Sequence, residues 1–290
     1  MSLQKYTSGL FALCLLALSS NIYAQNQGQS NGGSYLLEYK PKKGTAGNMK
    51  MTLDMNMKME MMGQEVESKQ TMLMDSDLEV YKTDKTTTST KVNYNHIVFK
   101  MENAMIGELT YDSRNVDENS TYAQAIHGSM KSLLDTTIYM EQDRTGKMVS
   151  NTSEQDIAAA SAGQPGSASI NSILNMSQFP TKPINIGESW TSTNTDPSSP
   201  MAMKMTYTLH KVENNIATIN VDGIVTANKE YEGESNFFEL LGTQKGFFKY
   251  DVKTMWLLSG ELTQNYNMKM QQNGMDIPTK IDNIITIGVD

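Results

Sequence analysis

The segment MKMTLDMNMKMEM places an apolar side chain at every odd position from Met49 to Met61 and a polar one at every even position. Alternate side chains of a β-strand share one face, whereas residues two apart on a helix lie about 200° apart around its axis. Methionine favours helices intrinsically, but a helix would scatter these side chains around its whole circumference. The alternation therefore predicts a long strand with one face against apolar matter and one face in water.

The length of this strand constrains the architecture. At about 3.3 Å per residue the segment spans roughly 43 Å, which is typical of large curved antiparallel sheets or barrels. Alternating or β-branched patterns, together with the dipeptide Asn273-Gly274 as a hairpin signal, predict further strands. They cover residues 34–43, 65–81, 92–101, 104–111, a pair within 136–149, 201–209, 216–227, 246–258, 261–271 and 276–289.

Helical patterns are few. Residues 119–134 place apolar side chains at helical spacing behind Ser120, a candidate N-cap, and residues 169–178 do so over a shorter stretch. The predicted fold is mainly β: a large curved antiparallel sheet or half-barrel with two short helices packed on one face.

The beginning of the chain is typical of an export signal. Lys5 precedes the apolar run LFALCLLAL, and Ala24 ends a candidate cleavage site. We expect a signal peptide at 1–24, a flexible N-terminal segment at 25–33, and a single β-rich domain at 34–290. That domain contains two weakly similar halves, 34–150 and 179–290, joined by a flexible stretch at 151–178. The mature protein is then expected in the periplasm or outside the cell.

Composition excludes several classes of function. The net charge of −8 disfavours nucleic acids and anionic membrane surfaces as partners. The single cysteine, Cys14, lies inside the predicted signal, which excludes disulfides, thiolate catalysis and cysteine-based metal sites from the mature chain. After the signal, no segment approaches the roughly 18 apolar residues of a membrane-spanning helix, so we expect no transmembrane segment in the mature chain. The oligomeric state stays open.

Enzyme signatures are missing from the sequence. It contains no nucleophile elbow, zinc-protease motif, phosphate loop or dinucleotide fingerprint. His96, His127 and His210 stand far apart, and the acidic pairs on predicted strands are ordinary features of solvated faces. We expect a protein without catalytic residues or a cofactor.

Three interpretations of the methionine face remain open. Methionine is flexible and polarizable, so a wall of such side chains adapts to apolar guests of different shapes. The candidate ligand-contacting residues are Met51, Met55, Met57, Met59, Phe99, Met203 and Met205. In a second interpretation, Met55, Met57 and Met59 bind Cu(I) through their soft sulfur atoms. In the third, the same side chains fill a closed core of a structural or interaction module.

Three segments carry a family resemblance. The sequences YLLEYKPKKG at 35–44, FPTKPINIGESW at 179–190 and YDVKTMWLLSGELTQNYNMKM at 250–270 resemble a family of uncharacterised exported bacterial proteins, classed only as a domain of unknown function. The element order is similar to the half-barrels of periplasmic lipoprotein carriers and related lipid-binding lipoproteins. This resemblance implies an apolar concave surface able to hold acyl chains. Together with the methionine face, it leads us to expect non-catalytic binding of a hydrophobic or lipidic ligand.

Overall fold

A computed structural model of the chain describes residues 33–61, 63–103, 107–153, 178–195, 201–231, 237–272 and 275–290. The described residues form twelve β-strands and one α-helix, α1 (Thr121–Leu134). The strands are β1 (Ala46–Met61), β2 (Gln64–Thr83), β3 (Thr87–Asn103), β4 (Gly107–Asp112), β5 (Thr137–Asp143), β6 (Met148–Ser153), β7 (Ser189–Asn194), β8 (Met201–Glu213), β9 (Ile216–Ala227), β10 (Phe237–Asp251), β11 (Leu257–Gln272) and β12 (Met275–Val289).

All twelve strands belong to one open antiparallel sheet. Its order is β6-β5-β3-β2-β1-β12-β11-β10-β9-β8-β7, with β4 pairing with β3 beside that path. The N-terminal half of the chain supplies one side of the sheet and the C-terminal half the other. They meet where β1 pairs with β12. The prediction of a mainly β, large antiparallel sheet is confirmed.

The methionine segment is strand β1, as its alternation predicts. Met49, Met51, Leu53, Met55 and Met57 are all buried, and Met59 is partly buried against the same core. Lys50, Asp54 and Glu60, on the other parity, are exposed. One face of the sheet, which we call the interior face, therefore carries the core, and the outer face is solvated.

The sheet curls around this core. β5 and β10 lie six strands apart in the sheet order, which in a flat sheet means about 29 Å. Nevertheless Met140 of β5 and Phe248 of β10 line one small cavity. The two halves of the interior face therefore approach each other at this end of the strands, which we call the closed end.

Residues 35–41 form a strap across the closed end. The backbone N–H of Tyr39 donates to the carbonyl of Arg144 at 2.8 Å, and that of Lys40 donates to the carbonyl of Thr254 at 2.9 Å. These two carbonyls belong to the β5–β6 and β10–β11 turns, so consecutive amides of the strap join the two halves of the sheet. The prediction of a strand at 34–43 is wrong, because only Tyr35 pairs, as an isolated bridge to Ile184.

The helix α1 confirms one of the two predicted helices. Ser120 caps it, its hydroxyl accepting from the N–H of Ala123 at 3.1 Å. Its buried residues Ala123, Ile126 and Met130 face β3 and β4. The second predicted helix falls almost wholly on residues outside the described part, and Gln178, its last residue, is not helical.

The strand predicted at 246–258 is also wrong in its bounds. β10 ends at Asp251, a turn follows, and β11 begins at Leu257. Asp251 makes this turn, because its carboxylate accepts from the N–H and the hydroxyl of Thr254 at 2.9 and 2.7 Å. The predicted signal peptide, most of the stretch 151–178 and the dipeptide Asn273-Gly274 lie outside the described residues. In the part that is described, no helix is both long and apolar enough to cross a membrane.

Candidate functional site

The interior face holds all seven residues predicted to contact a ligand. Met51, Met55, Met57 and Met59 follow one another along β1, and Phe99 lies two strands away on β3. Met51 and Leu53 stand opposite Met74 and Met72 of β2, and Met72 stands opposite Phe99. The residues at the level of Met51 and Leu53 therefore form one apolar patch over β1, β2 and β3. Met55 and Met57 stand opposite the buried Gln70 and Ser68 of β2.

The two methionines of β8 belong to a different part of the same face. β8 is five strands from β1, about 24 Å along a flat sheet. Met205 is buried, and Met203 is half-buried against the core. The sequence correctly assigns both to the apolar side of a strand, but the order of the sheet separates them from the β1 group.

A row of buried amides crosses the interior face at the level of Met55. The register aligns Met55 with Gln70 on one side and Asn283 on the other, and Asn283 with Gln264, which in turn aligns with Gln244. All four amide side chains are at most 5% exposed. They form a polar band inside an otherwise apolar surface.

Hydrogen bonds connect this row across the C-terminal half. Asn283 Nδ2 donates to Gln264 Oε1 at 3.0 Å, and Gln264 Nε2 donates to Gln244 Oε1 at 3.4 Å. Gln244 Nε2 then lies 3.0 Å from the sulfur of Met205. This last contact passes over Gly223, where any Cβ would overlap the Met205 sulfur. Three neighbouring strands and β8 are thereby held in one register.

The sequence analysis missed these amides, although a signal for them exists. Asn283 interrupts the series Ile281, Ile285, Ile287 on the apolar parity of β12, and Gln264 follows Leu262 on that of β11. A polar side chain at a core position of a strand needs a hydrogen-bonding partner. Which strands supply the partners depends on pairing that the sequence does not reveal.

The closed end of the interior contains a cavity of about 70 Å³ between the two halves of the sheet. Tyr39 of the strap and Thr90 of β3 lie on its wall, with their hydroxyls 3.4 Å apart. Burial raises the pKa of Tyr39 to about 12, so this phenol stays neutral at physiological pH. The remaining lining is dominated by apolar and aromatic side chains, among them Phe179, Phe248 and Met255. The cavity is about half the size of one that holds benzene.

The opposite end of the strands carries a groove of about 860 Å³ with a charged lining. Lys58 and Lys269 in this lining form ion pairs with Glu65 at 2.9 Å and Glu239 at 2.7 Å. The hydrogen bond to Glu65 raises the pKa of Lys58. Met59, Leu240 and Met268 of the interior face also line this groove, so charged and apolar side chains meet at this end of the strands.

The histidines do not join the methionines. His96 lies between two aspartates, His127 contacts Tyr111, and His210 is exposed on β8. Within the described ranges, no three His, Cys, Asp or Glu side chains are grouped as metal ligands. That finding concerns nitrogen and oxygen donors and cysteine. A site made only of Met55, Met57 and Met59 stays a prediction.

One segment of the chain is similar to a known family of sequences. Residues 151–257 match a model described as "Family of unknown function (DUF6263)". The expected resemblance to a family known only as a domain of unknown function is thus confirmed over this segment. No curated protein matches the chain.

Among solved structures, one with a TM-score above 0.5 is similar in fold, and two others match with lower scores. The structure described as "Lipid-protein interactions in lipovitellin" matches 86% of this chain and 25% of that chain, with 6% identity and a TM-score of 0.52. The present chain thus spans about a quarter of that protein. An outer membrane channel from Pseudomonas putida F1 matches 87% of this chain and 98% of that chain, with 9% identity and a TM-score of 0.31. A DUF1329 family protein from Desulfovibrio piger matches 83% of each chain, with 8% identity and a TM-score of 0.19.

Proposed function

We propose that this protein binds a hydrophobic or lipidic ligand, without catalysis, on the interior face of its curled sheet. The observation that carries the proposal is the methionine-rich surface of β1, β2 and β3. Twelve methionines are buried in the described residues, among them Met51, Met55 and Met57 on one face of β1. Thioether chains have three rotatable bonds and repack around guests of different shape more readily than branched side chains do.

The fold is consistent with this role. A sheet that buries one face and curls into a half-barrel encloses an apolar space, as larger barrels do when they hold a ligand. The helix α1 covers the β3–β4 side of that space. Lipovitellin, whose similar structure is described by its lipid–protein interactions, supports the proposal only as an analogy of fold.

The proposed setting is the cell envelope, to which the predicted export signal at 1–24 would direct the mature chain. A soluble carrier or sensor of lipids there needs no cofactor and no cluster of catalytic groups. The ligand would be taken up whole and released unchanged.

Lipid extraction and native mass spectrometry of the purified mature chain test the proposal. We expect co-purified lipid or, after delipidation, saturable binding of a fluorescent fatty acid. Met57→Gln places an amide on the interior face and should weaken binding about tenfold, since an amide in an apolar site costs roughly 1–3 kcal/mol. Lys58→Gln introduces the same side chain on the outer face of the same strand, and binding should be retained.

Two outcomes would contradict the proposal. A chain that carries no lipid and binds neither fatty-acid nor phospholipid probes would instead have a closed core. Equal weakening by Met57→Gln and Lys58→Gln, at matched thermal stability, would locate binding elsewhere.

A further inference from the structure

His96 occupies an irregular position in strand β3. The register between β2 and β3 shifts there: Asp75 faces His96, but the next residue, Ser76, faces Tyr94, so Asn95 is an extra residue. Bulges of this kind re-aim a side chain relative to the regular alternation of a strand. The ring of His96 lies in a shallow, partly buried position, 20% exposed.

Both ring nitrogens of His96 face carboxylates from different strands. Nε2 is 2.8 Å from Oδ1 of Asp112, the last residue of β4, and Nδ1 is 3.5 Å from Oδ2 of Asp75 on β2. A neutral imidazole donates through one nitrogen only and turns a lone pair towards the other partner. Only the imidazolium donates to both carboxylates. The protonated ring therefore fastens β2, β3 and β4 together.

Other charged groups surround this pair of contacts. Lys50 of β1 stands opposite Asp75, and its ammonium is 3.6 Å from the Asp290 carboxylate. The backbone N–H of Arg114 donates to Asp112 at 2.8 Å. This hydrogen bond, followed by the contact with His96 and the charge of Arg114, lowers the pKa of Asp112. Asp112 is therefore ionised throughout the range in which histidine titrates.

The strand that His96 fastens carries the helix. β4 pairs with β3 and stands off the main path of the sheet. Its inward residue Tyr111 is buried, and the Tyr111 hydroxyl is 3.1 Å from His127 Nδ1 of α1. A phenol hydroxyl can donate or accept, so this second contact persists whether His127 is neutral or charged. We call β4 and α1 together the flap.

We propose that His96 is a pH-operated latch that holds the flap over the interior face when protonated and loosens it when neutral. This inference rests on the proposed function, because the flap covers the Phe99 side of the predicted ligand surface. Histidine side chains change charge between about pH 5 and 8. The protonated ring donates to both carboxylates and the neutral ring to only one, so the flap is held less firmly as the pH rises and ligand exchange becomes faster towards alkaline pH.

Hydrogen exchange of the whole mature chain tests the latch without any ligand. Exchange is measured between pH 5.5 and 8.0 and normalised to the intrinsic rate at each pH. We expect protection of β4 and α1, relative to β1 and β12, to fall about three- to fivefold over this range, as suits a partly exposed ion pair. His96→Gln should give the low protection at every pH. His210→Gln, on the exposed face of β8, should retain the response of the parent chain.

A second variant guards against misfolding of the first. Asp75→Asn leaves the shape of the site and one carboxylate, and should reduce the pH response by about half. The latch is refuted if the parent chain shows no pH response in β4, or if His96→Gln keeps the full response.

Uptake of a fluorescent fatty acid by the same samples separates the two proposals. A pH response in exchange with no probe binding at any pH would support the latch and refute the proposed ligand. Probe binding with uptake rates independent of pH and of His96 would support the ligand and refute the latch.

Discussion

The two halves of the interior face are filled by different means. In β1 the inward positions are occupied by methionine and leucine, as in Met49, Met51 and Leu53. In β10 large side chains alternate with glycine at the inward positions: Gln244 and Phe248 lie on either side of Gly246. The first half thus relies on side chains that adapt, the second on close backbone approach and fixed hydrogen bonds. We infer that the N-terminal half is suited to receiving a guest, and the C-terminal half to holding its shape.

The strongest test of this contrast is Gly246→Ala. A Cβ at this position would overlap the carbonyl oxygen of Glu261 on β11, and a backbone atom cannot move aside as a side chain can. We expect the free energy of unfolding to fall by about 3 kcal/mol, at the upper end of overpacking costs. Urea denaturation measures this loss.

Gly288→Ala is the matched control for that prediction. A Cβ at Gly288 meets nothing within 4 Å, so the change should stay within about 0.5 kcal/mol. Similar losses for the two variants would contradict the assignment of a tight backbone approach to β10.

Gln264→Leu addresses the amide row. The substitution removes the hydrogen bond that Gln264 makes with Asn283 and the one that it makes with Gln244, and it keeps a side chain of similar size. Loss of partners by buried polar groups should lower the free energy of unfolding by about 2 kcal/mol. The exposed Gln64 gives the control Gln64→Leu, which should be near neutral. If Gln264→Leu proved stabilising, the row would not hold this half in register.

Met57→Leu examines the adaptable half. Met57 is fully buried, but the exchange conserves volume and its methionine neighbours can repack. We expect a loss of about 1 kcal/mol in the same denaturation experiment. A loss as large as that of Gly246→Ala would show that the methionine face is as rigid as β10, and would remove the contrast between the halves.

Tyr94→Phe gives the smallest effect, with the opposite sign. The hydroxyl of Tyr94 is buried, and it has no hydrogen-bonding partner among the described residues. Removing it should stabilise the protein by about 0.5 kcal/mol, since an unsatisfied buried hydroxyl costs free energy. Thermal unfolding of the two chains side by side measures the difference. Destabilisation would indicate that this hydroxyl makes a contact in the N-terminal half.

Local features of the fold were predictable because they depend on patterns among residues close together in the sequence. The alternation from Met49 to Met61 specified a strand and its buried face, and Ser120 with the apolar spacing behind it specified a helix. Residues 34–43 also look like a strand by pattern. They form a strap because the carbonyls of Arg144 and Thr254 accept hydrogen bonds from the backbone N–H groups of Tyr39 and Lys40. The turn after Asp251 was missed, since its carboxylate replaces the ladder bonds that the apolar pattern suggested.

The candidate site likewise contains features that the sequence predicts and others that only the structure shows. The sequence placed Met51, Met55 and Phe99 on apolar faces, and the structure brings them together because β3, β2 and β1 are neighbours. Nothing in the sequence indicates that Met205 lies five strands from β1. The amide row and the His96 latch also escaped detection, because their members are 19 or more residues apart or meet only at a bulge.

The sequence alone determined that this chain is built of long strands with one apolar face, because the side of a strand to which a residue points depends only on whether its position is odd or even. Tertiary structure decided which strands become neighbours, how far the sheet curls and which polar groups find partners. These outcomes depend on contacts between residues far apart in the chain, where loop closure, glycine positions and carboxylate placement act together.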